Sequence, residues 1–158
     1  MERLKMAVNT NLVKQLRQAT GARIMDCKKA LEEAQGDLEL AKKYVQEKGL
    51  ARAEKTADRE AAVGYIASYT HATGQIASLL ELLCETDFVA ANEEFRDLAK
   101  NLAMQVAAMN PQSKADFLAQ DYIRGEQNVE LTIKALSGKI GEKIVLGRFQ
   151  RFAIGEQE

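Results

Sequence analysis

The sequence predicts an α+β protein, in which a module of three helices precedes a small three-stranded antiparallel sheet with covering helices. Two observations predict this class. In the first third of the chain, short stretches carry apolar residues at helical spacing, and a glycine follows each stretch. From residue 63 onwards the pattern becomes the alternation of strands. The predicted units are an N-terminal module at 8–49, a connector at 50–62, and an α+β core domain at 63–158.

The N-terminal module is predicted to contain three helices, whose apolar stripes cover residues 12–19, 24–34 and 38–45. Asp37 is a favourable N-cap for the third helix. Each helix is expected to end at the glycine that follows it: Gly21, Gly36 or Gly49. The connector at 50–62 consists mainly of alanine and charged residues, so we expect it to lie on the surface, helical or extended.

Three strands are predicted in the core domain. Residues 63–70 alternate between two faces, the sequence His-Ala-Thr-Gly at 71–74 predicts a hairpin turn, and 75–84 returns as the second strand. Because that second strand is apolar on both faces, we expect a central strand covered on both sides. The third strand is predicted at 143–154, with a bulge at Gly147.

The helices of the core are predicted from capping residues and apolar spacing. Asn92 is the N-cap of a helix whose apolar face runs from 95 to 106, and Pro111 closes that helix. Two shorter helices are expected around 115–123 and 129–136, the second ending at a Ser-Gly pair.

Composition limits the kind of partner. An apolar fraction of 46% with a net charge of −1 is typical of a globular protein, and it argues against binding of bulk nucleic acid or anionic membrane. The N-terminal residues lack the pattern of a signal peptide, and no apolar run approaches a membrane span. We therefore expect a cytoplasmic protein, whose two cysteines are reduced and buried.

The sequence shows no arrangement of residues that is typical of an active site, since most of its plentiful carboxylates lie at helical spacing on solvated faces. The single histidine, His71, falls in a predicted turn, and Cys84 falls in an apolar strand, where a thiol is inert. Glycine-rich residues 137–143 lack the preceding strand and following helix of a phosphate loop, so they predict a turn. The sequence therefore indicates a protein that is not an enzyme, with no cofactor, no metal and no directly bound nucleotide.

Two exposed features remain as candidates for binding. Lys14 and Arg17 lie on the outer face of the first helix, where such charges are usually solvated. Asp87 and Phe88 lie at the bend between a strand and a helix. On residue type alone, Phe88 is expected to pack into the core.

Two long stretches, LVKQLRQATGARIMDCKKALEEAQGD at 12–37 and ELLCETDFVAANEEF at 81–95, resemble signatures of bacterial elongation factor Ts, a family of nucleotide exchange factors for elongation factor Tu. Two further segments resemble parts of that family: AEKTADREA at 53–61 and KIGEKIVLGRFQRF at 139–152. The resemblance covers roughly 10–111 and 136–154.

The resemblance implies that the chain binds elongation factor Tu, both GDP-bound and nucleotide-free, and promotes release of GDP for exchange with GTP. In the N-terminal module, it assigns contacts with the nucleotide-binding domain of elongation factor Tu to four residues: Val13, Lys14, Arg17 and Met25. In the core, it assigns a wedge beside the nucleotide and magnesium site to four others: Thr86, Asp87, Phe88 and Val89. Asp87 and Phe88 are then expected to point outward, against the expectation from residue type.

The resemblance also implies a homodimer. Long members of the family have a second half-core, a helical hairpin and a C-terminal helix, none of which is recognisable here, and short members pair two chains. The sheet is then expected to pair its exposed face with a second copy. An alternative function is that of an adaptor that binds another protein through a three-helix module resembling ubiquitin-associated domains. A hydrolase using Asp87 or Cys84 is a more distant alternative.

Overall fold

Seven helices and three strands make up the part of the chain that the computed structural model describes, residues 9–156. The helices are α1 Thr10–Thr20, α2 Ile24–Glu33, α3 Leu38–Lys55, α4 Asp87–Ala90, α5 Glu93–Met109, α6 Lys114–Ala119 and α7 Val129–Ile140. The strands are β1 Val63–Thr70, β2 Ile76–Cys84 and β3 Val145–Ala153. The predicted α+β class is confirmed. Val8 and residues 157–158, at the ends of two predicted units, lie outside the described residues.

Helices α1 to α3 form a module around a hydrophobic cluster of their own. Gly21 ends α1 in the left-handed conformation at φ 62°, and its N–H donates to the Arg17 carbonyl. The side chain of Asp37 caps α3 by accepting from the N–H of Leu40. The buried members of the cluster are Leu16, Cys27, Ala30, Leu31, Ala34 and Ala41. The three predicted helices are present, and all of these buried residues except Leu16 lie on α2, α3 or the turn between them.

Helix α3 does not end at Gly49, as the sequence predicted, but continues to Lys55. The backbone of Gly49 lies against Gly138 of α7, and this close helix crossing requires glycine at 138, where a Cβ atom would collide with the Gly49 carbonyl. The first residues of the predicted connector, 50–55, thus continue α3, which is one of the two forms that the sequence allowed. Ala53 and Thr56 of the connector are buried rather than on the surface as predicted.

The sheet has the order β1-β2-β3, and both strand pairs are antiparallel. The turn at 71–74 is confirmed, with the His71 N–H donating to the Ile76 carbonyl over 2.8 Å. The predicted bulge at Gly147 is also present, because the register between β2 and β3 shifts opposite Glu81. A Cβ atom on Gly147 would collide with the side chain of Glu81, so the bulge needs glycine there.

Helices cover only one face of the sheet. Leu80 and Leu82 of β2 are fully buried on that face, where they pack with Phe95 and Leu102 of α5 in the main hydrophobic cluster. The expectation that β2 is covered on both sides is wrong for a single chain. On the opposite face, the outer sheet face, four large apolar side chains remain exposed: Ile66, Leu79, Phe152 and Ile154.

Two further boundaries differ from the predictions. Helix α6 begins after the predicted cap Ser113 but ends at Ala119 rather than at 123, because the chain then forms a β-bridge between Asp121 and Asn128. Helix α7 continues through the Ser-Gly pair to Ile140 and ends at Gly141, so the turn predicted at 137–143 begins only there. None of the helices within 9–156 is long and apolar enough to cross a membrane.

The ion pair opposite the bulge predicts a response to acid. Hydrogen bonds from the Arg148 guanidinium and backbone N–H lower the pKa of the Glu81 carboxyl from its ordinary 4.5 to about 2. A carboxyl whose pKa is lower in the folded state stabilises the fold above its unfolded pKa, and that contribution is lost as the pH falls.

We therefore expect the free energy of unfolding of the wild type to fall more steeply than that of Glu81→Gln between pH 4.5 and about 2. Urea denaturation across this range measures both slopes. Glu130→Gln, which removes an exposed carboxylate from an i,i+4 pair, is the control and should follow the wild type. Parallel curves for the wild type and Glu81→Gln would contradict the account.

Candidate partner-binding site

The segment that the sequence singled out, residues 86–89 and called here the TDFV segment, begins two residues after β2. Thr86 is the N-cap of the short helix α4, and its hydroxyl oxygen accepts a hydrogen bond from the Val89 N–H over 3.4 Å. At the end of β2, the Cys84 thiol donates to the Thr86 carbonyl over 3.3 Å. Thr86 is therefore held by the strand before it and by the helix after it.

A second part of the chain holds the same residue from outside. Both the N–H and the hydroxyl of Thr86 donate to the carboxylate of Glu142, over 3.2 and 2.7 Å. The neighbouring Glu85 accepts from the backbone N–H of Lys143 over 2.6 Å. Sequence reasoning missed Glu142. Its signal was its place in the segment 139–152 that resembles the family, although no role followed from that resemblance.

These contacts decide which side chains of the TDFV segment face solvent. Val89 and the adjacent Ala90 are buried in the main cluster. The side chains of Asp87 and Phe88 are exposed, and Phe88 is 89% exposed. The core packing expected for Phe88 from residue type is therefore wrong, and the outward direction implied by the resemblance is present.

Two of the four assigned residues in this segment are poorly placed for direct contact. The side chain of Val89 is 8% exposed, because it packs beneath the short helix as an anchor. Thr86 is half-buried, and Glu142 takes up its hydroxyl. Asp87 and Phe88 alone are presented outward, and Thr86 and Val89 hold them in place.

A second candidate surface, called here the N-terminal patch, lies on α1 and the start of α2. Lys14 and Arg17 are exposed, and Met25 is 59% exposed. Val13 is half-buried and packs against the cluster of the module. Ile24, which the sequence placed on the buried stripe of α2, is instead 52% exposed beside Met25. Ile24 is the first residue of α2, and no other element covers the helix there. Its exposed side chain therefore enlarges the patch.

The residues considered for catalysis have other roles in the structure. Burial raises the pKa of the Cys84 thiol, which keeps it protonated as the donor to Thr86. Cys27 is likewise a buried free thiol with a raised pKa. His71 is exposed in its turn, with Nδ1 lying 3.3 Å from the Tyr69 hydroxyl. Within 9–156, no three His, Cys, Asp or Glu side chains converge in a way that would hold a metal ion.

The chain is similar to known proteins that all carry the name elongation factor Ts. Residues 85–158 match the family model described as Elongation factor TS. The chain is 48% identical to elongation factor Ts of Desulforamulus reducens, over 92% of this chain and 69% of that protein. It is also 48% identical to elongation factor Ts of Nitratidesulfovibrio vulgaris, over 93% of this chain and 76% of the relative. Elongation factor Ts of Thermotoga maritima is 47% identical, over 93% and 75%.

The opposite environments of two phenylalanines predict opposite effects on stability. Phe95 is fully buried, so Phe95→Ala should lower the free energy of unfolding by about 3–5 kcal/mol. Phe88→Ala removes an exposed ring and should change it by no more than about 0.5 kcal/mol. Denaturant titration of both variants measures the difference. An equally large loss in Phe88→Ala would show that its ring is packed in the native state.

Proposed function

We propose, because this chain belongs to the elongation factor Ts family, that it is a translation elongation factor that binds GDP-bound elongation factor Tu and promotes release of GDP for exchange with GTP. The observation that carries the proposal is Phe88, a ring that is 89% exposed on a helix whose ends are fixed. The chain needs no active site of its own for this role, since exchange depends on binding two states of the partner unequally.

Phe88 is proposed to act as a wedge beside the nucleotide and magnesium site of elongation factor Tu, with Asp87 next to it. An exposed phenylalanine contributes nothing to folding by burial, but burying it against a partner contributes about 1.5–3 kcal/mol. If that burial is available only in the nucleotide-free partner, linkage weakens GDP binding by about 10- to 150-fold. Larger effects require Asp87 and the N-terminal patch to contribute as well.

The N-terminal patch is proposed to dock on the nucleotide-binding domain of the same partner. Lys14, Arg17 and Met25 are available for that contact, and Ile24 extends it. The half-buried Val13 contributes only the exposed part of its side chain. In this proposal the module, predicted at 8–49, is the docking unit, and the domain predicted at 63–158 carries the wedge.

We further propose that two chains form a homodimer in the cytoplasm through the outer sheet face. Ile66, Leu79 and Phe152 share that face in neighbouring strands, as their cross-strand register requires. Apolar side chains side by side on three strands form a contiguous patch of the kind that usually marks an interface. A second copy would cover this patch in a symmetric contact.

Release of labelled GDP from elongation factor Tu tests the exchange function. The wild type should accelerate release, and Phe88→Ala should lower that acceleration about 10- to 150-fold, because it removes the buried ring. Met109→Ala, which shortens an exposed apolar side chain at the end of α5, is the matched control and should act like the wild type.

Two results would contradict the proposal in different ways. If the wild type does not speed release, the exchange function is wrong, and a partner captured independently of Asp87 and Phe88 would then favour the adaptor alternative. If Phe88→Ala speeds release as well as the wild type does, the wedge is wrong while exchange stands.

Sedimentation equilibrium tests the dimer. The wild type is expected at twice the chain mass of 17.5 kDa, and a Leu79→Glu, Phe152→Glu double variant at the chain mass, because a dimer would bury the new charges. Ile123→Glu, at an exposed apolar residue outside the sheet, is the control and should remain dimeric. A wild type at the single-chain mass, or a double variant that stays at twice that mass, would contradict the proposed interface.

A further inference from the structure

We propose that residues 137–142, called here the α7 turn, fix the N-terminal patch and the TDFV segment in one mutual orientation, and that Arg52 is the positioning residue of this joint. The inference rests on the proposed function, because it concerns how the two partner-binding surfaces act together. Neither the α7 turn nor Arg52 belongs to the two binding surfaces.

Arg52 connects three helices through its guanidinium. It belongs to the second half of α3, and its Nη2 donates to Oδ2 of Asp26 on α2 over 2.9 Å. Its Nη1 donates to the carbonyl of Gly138 near the end of α7 over 3.1 Å. Both partners are partly buried, so water competes weakly for these charge-assisted hydrogen bonds. One side chain thus joins the module to the core.

The position of Arg52 suits the end of a helix. The last carbonyls of α7 have no partner within the helix and carry its partial negative charge, which favours cations. Arg23 adds a second, longer contact, from Nη2 to the Ile140 carbonyl over 3.5 Å. One helical turn before Arg52, the backbone of Gly49 lies against Gly138, so α3 and α7 are packed at backbone distance next to the Arg52 hydrogen bonds.

Part of the boundary between module and core is not filled, although α3 packs along α7. A cavity of about 480 Å³ lies between them, lined by Arg23 and Arg52 from one side and by Tyr122 and Lys139 from the other. Tight packing therefore does not fix the orientation of the module across the whole boundary. At the α7 turn, the hydrogen bond from Arg52 to Gly138 adds to the packing of α3 against α7.

The same turn reaches the TDFV segment on its other side. The Ser137 hydroxyl donates to the Glu142 carbonyl over 2.5 Å, which folds the chain back after Gly141. The Glu142 carboxylate then receives both hydrogen bonds from Thr86. From Gly138 to Glu142, the chain is bound first to the module and then to the residue that caps α4.

A rigid joint has a direct consequence for binding. When one surface has docked, a fixed geometry presents the other at a high effective concentration, and that advantage falls when the link becomes loose. We therefore expect Arg52→Ala to weaken binding without altering either surface. The loss should depend on Phe88, since a misplaced wedge matters only when the wedge is present.

A double-mutant cycle on the dissociation constant for nucleotide-free elongation factor Tu tests this. Arg52→Ala should raise the constant about tenfold in the wild-type background and at most about twofold in Phe88→Ala, a coupling of the size typical of linked sites. Lys55→Ala, which removes an exposed cation from the same helix, is the control and should have no effect in either background. Equal factors in the two backgrounds, or no effect in either, would overturn the proposal.

A second measurement does not depend on exchange activity. Spin labels on Glu32→Cys in α2 and Lys134→Cys in α7, both exposed, report the distance between module and core, and the native cysteines are buried. The distance distribution should be narrow with Arg52, broader with Arg52→Lys, which reaches only one of the two acceptors, and broadest with Arg52→Ala. Equally narrow distributions in all three proteins would overturn the proposal that Arg52 fixes the orientation. If the wild type does not accelerate GDP release from elongation factor Tu, only the proposed function is overturned.

Discussion

The two hydrogen bonds from Thr86 to the Glu142 carboxylate are the interaction on which the presentation of Phe88 depends. They fix the N-cap of a helix too short to be stable alone, and Val89 then anchors that helix in the core. Because the cap and the anchor fix the orientation of α4, the side chains of Asp87 and Phe88 point into solvent. A large apolar ring is thereby held in solvent on a rigid mount, which a binding role requires and folding does not.

The same end of α7 serves the module. The contact between Gly49 and Gly138 brings α3 within backbone distance of the core, and Arg52 then reaches both the core and α2. A glycine at 138 costs α7 about 1 kcal/mol relative to alanine, and the close crossing that it permits offsets this cost. The open outer sheet face lies away from this joint, so the proposed second copy and the proposed partner need not compete for one surface.

Local signals predicted most elements of the fold, because capping and turn residues act on their neighbours. Asn92 and the bulge at Gly147 were predictable for this reason. The course of α3 through Gly49 was not predictable, since glycine commonly ends a helix and only the fold shows that α3 continues to pack against α7. Ile24 fits the apolar stripe of α2, yet only the fold shows that the start of the helix is uncovered. Glu142 acts on a residue 56 positions away, and no periodicity encodes such a contact.

In the proposed function, this chain and GDP bind elongation factor Tu antagonistically, because the Phe88 ring is buried against the partner only when the nucleotide has left. The most direct measurement is the equilibrium dissociation constant of GDP from elongation factor Tu, with and without a saturating amount of the chain. Reciprocal linkage predicts that the chain raises this constant by at least about tenfold. A constant that does not change when the chain is bound would contradict the claim.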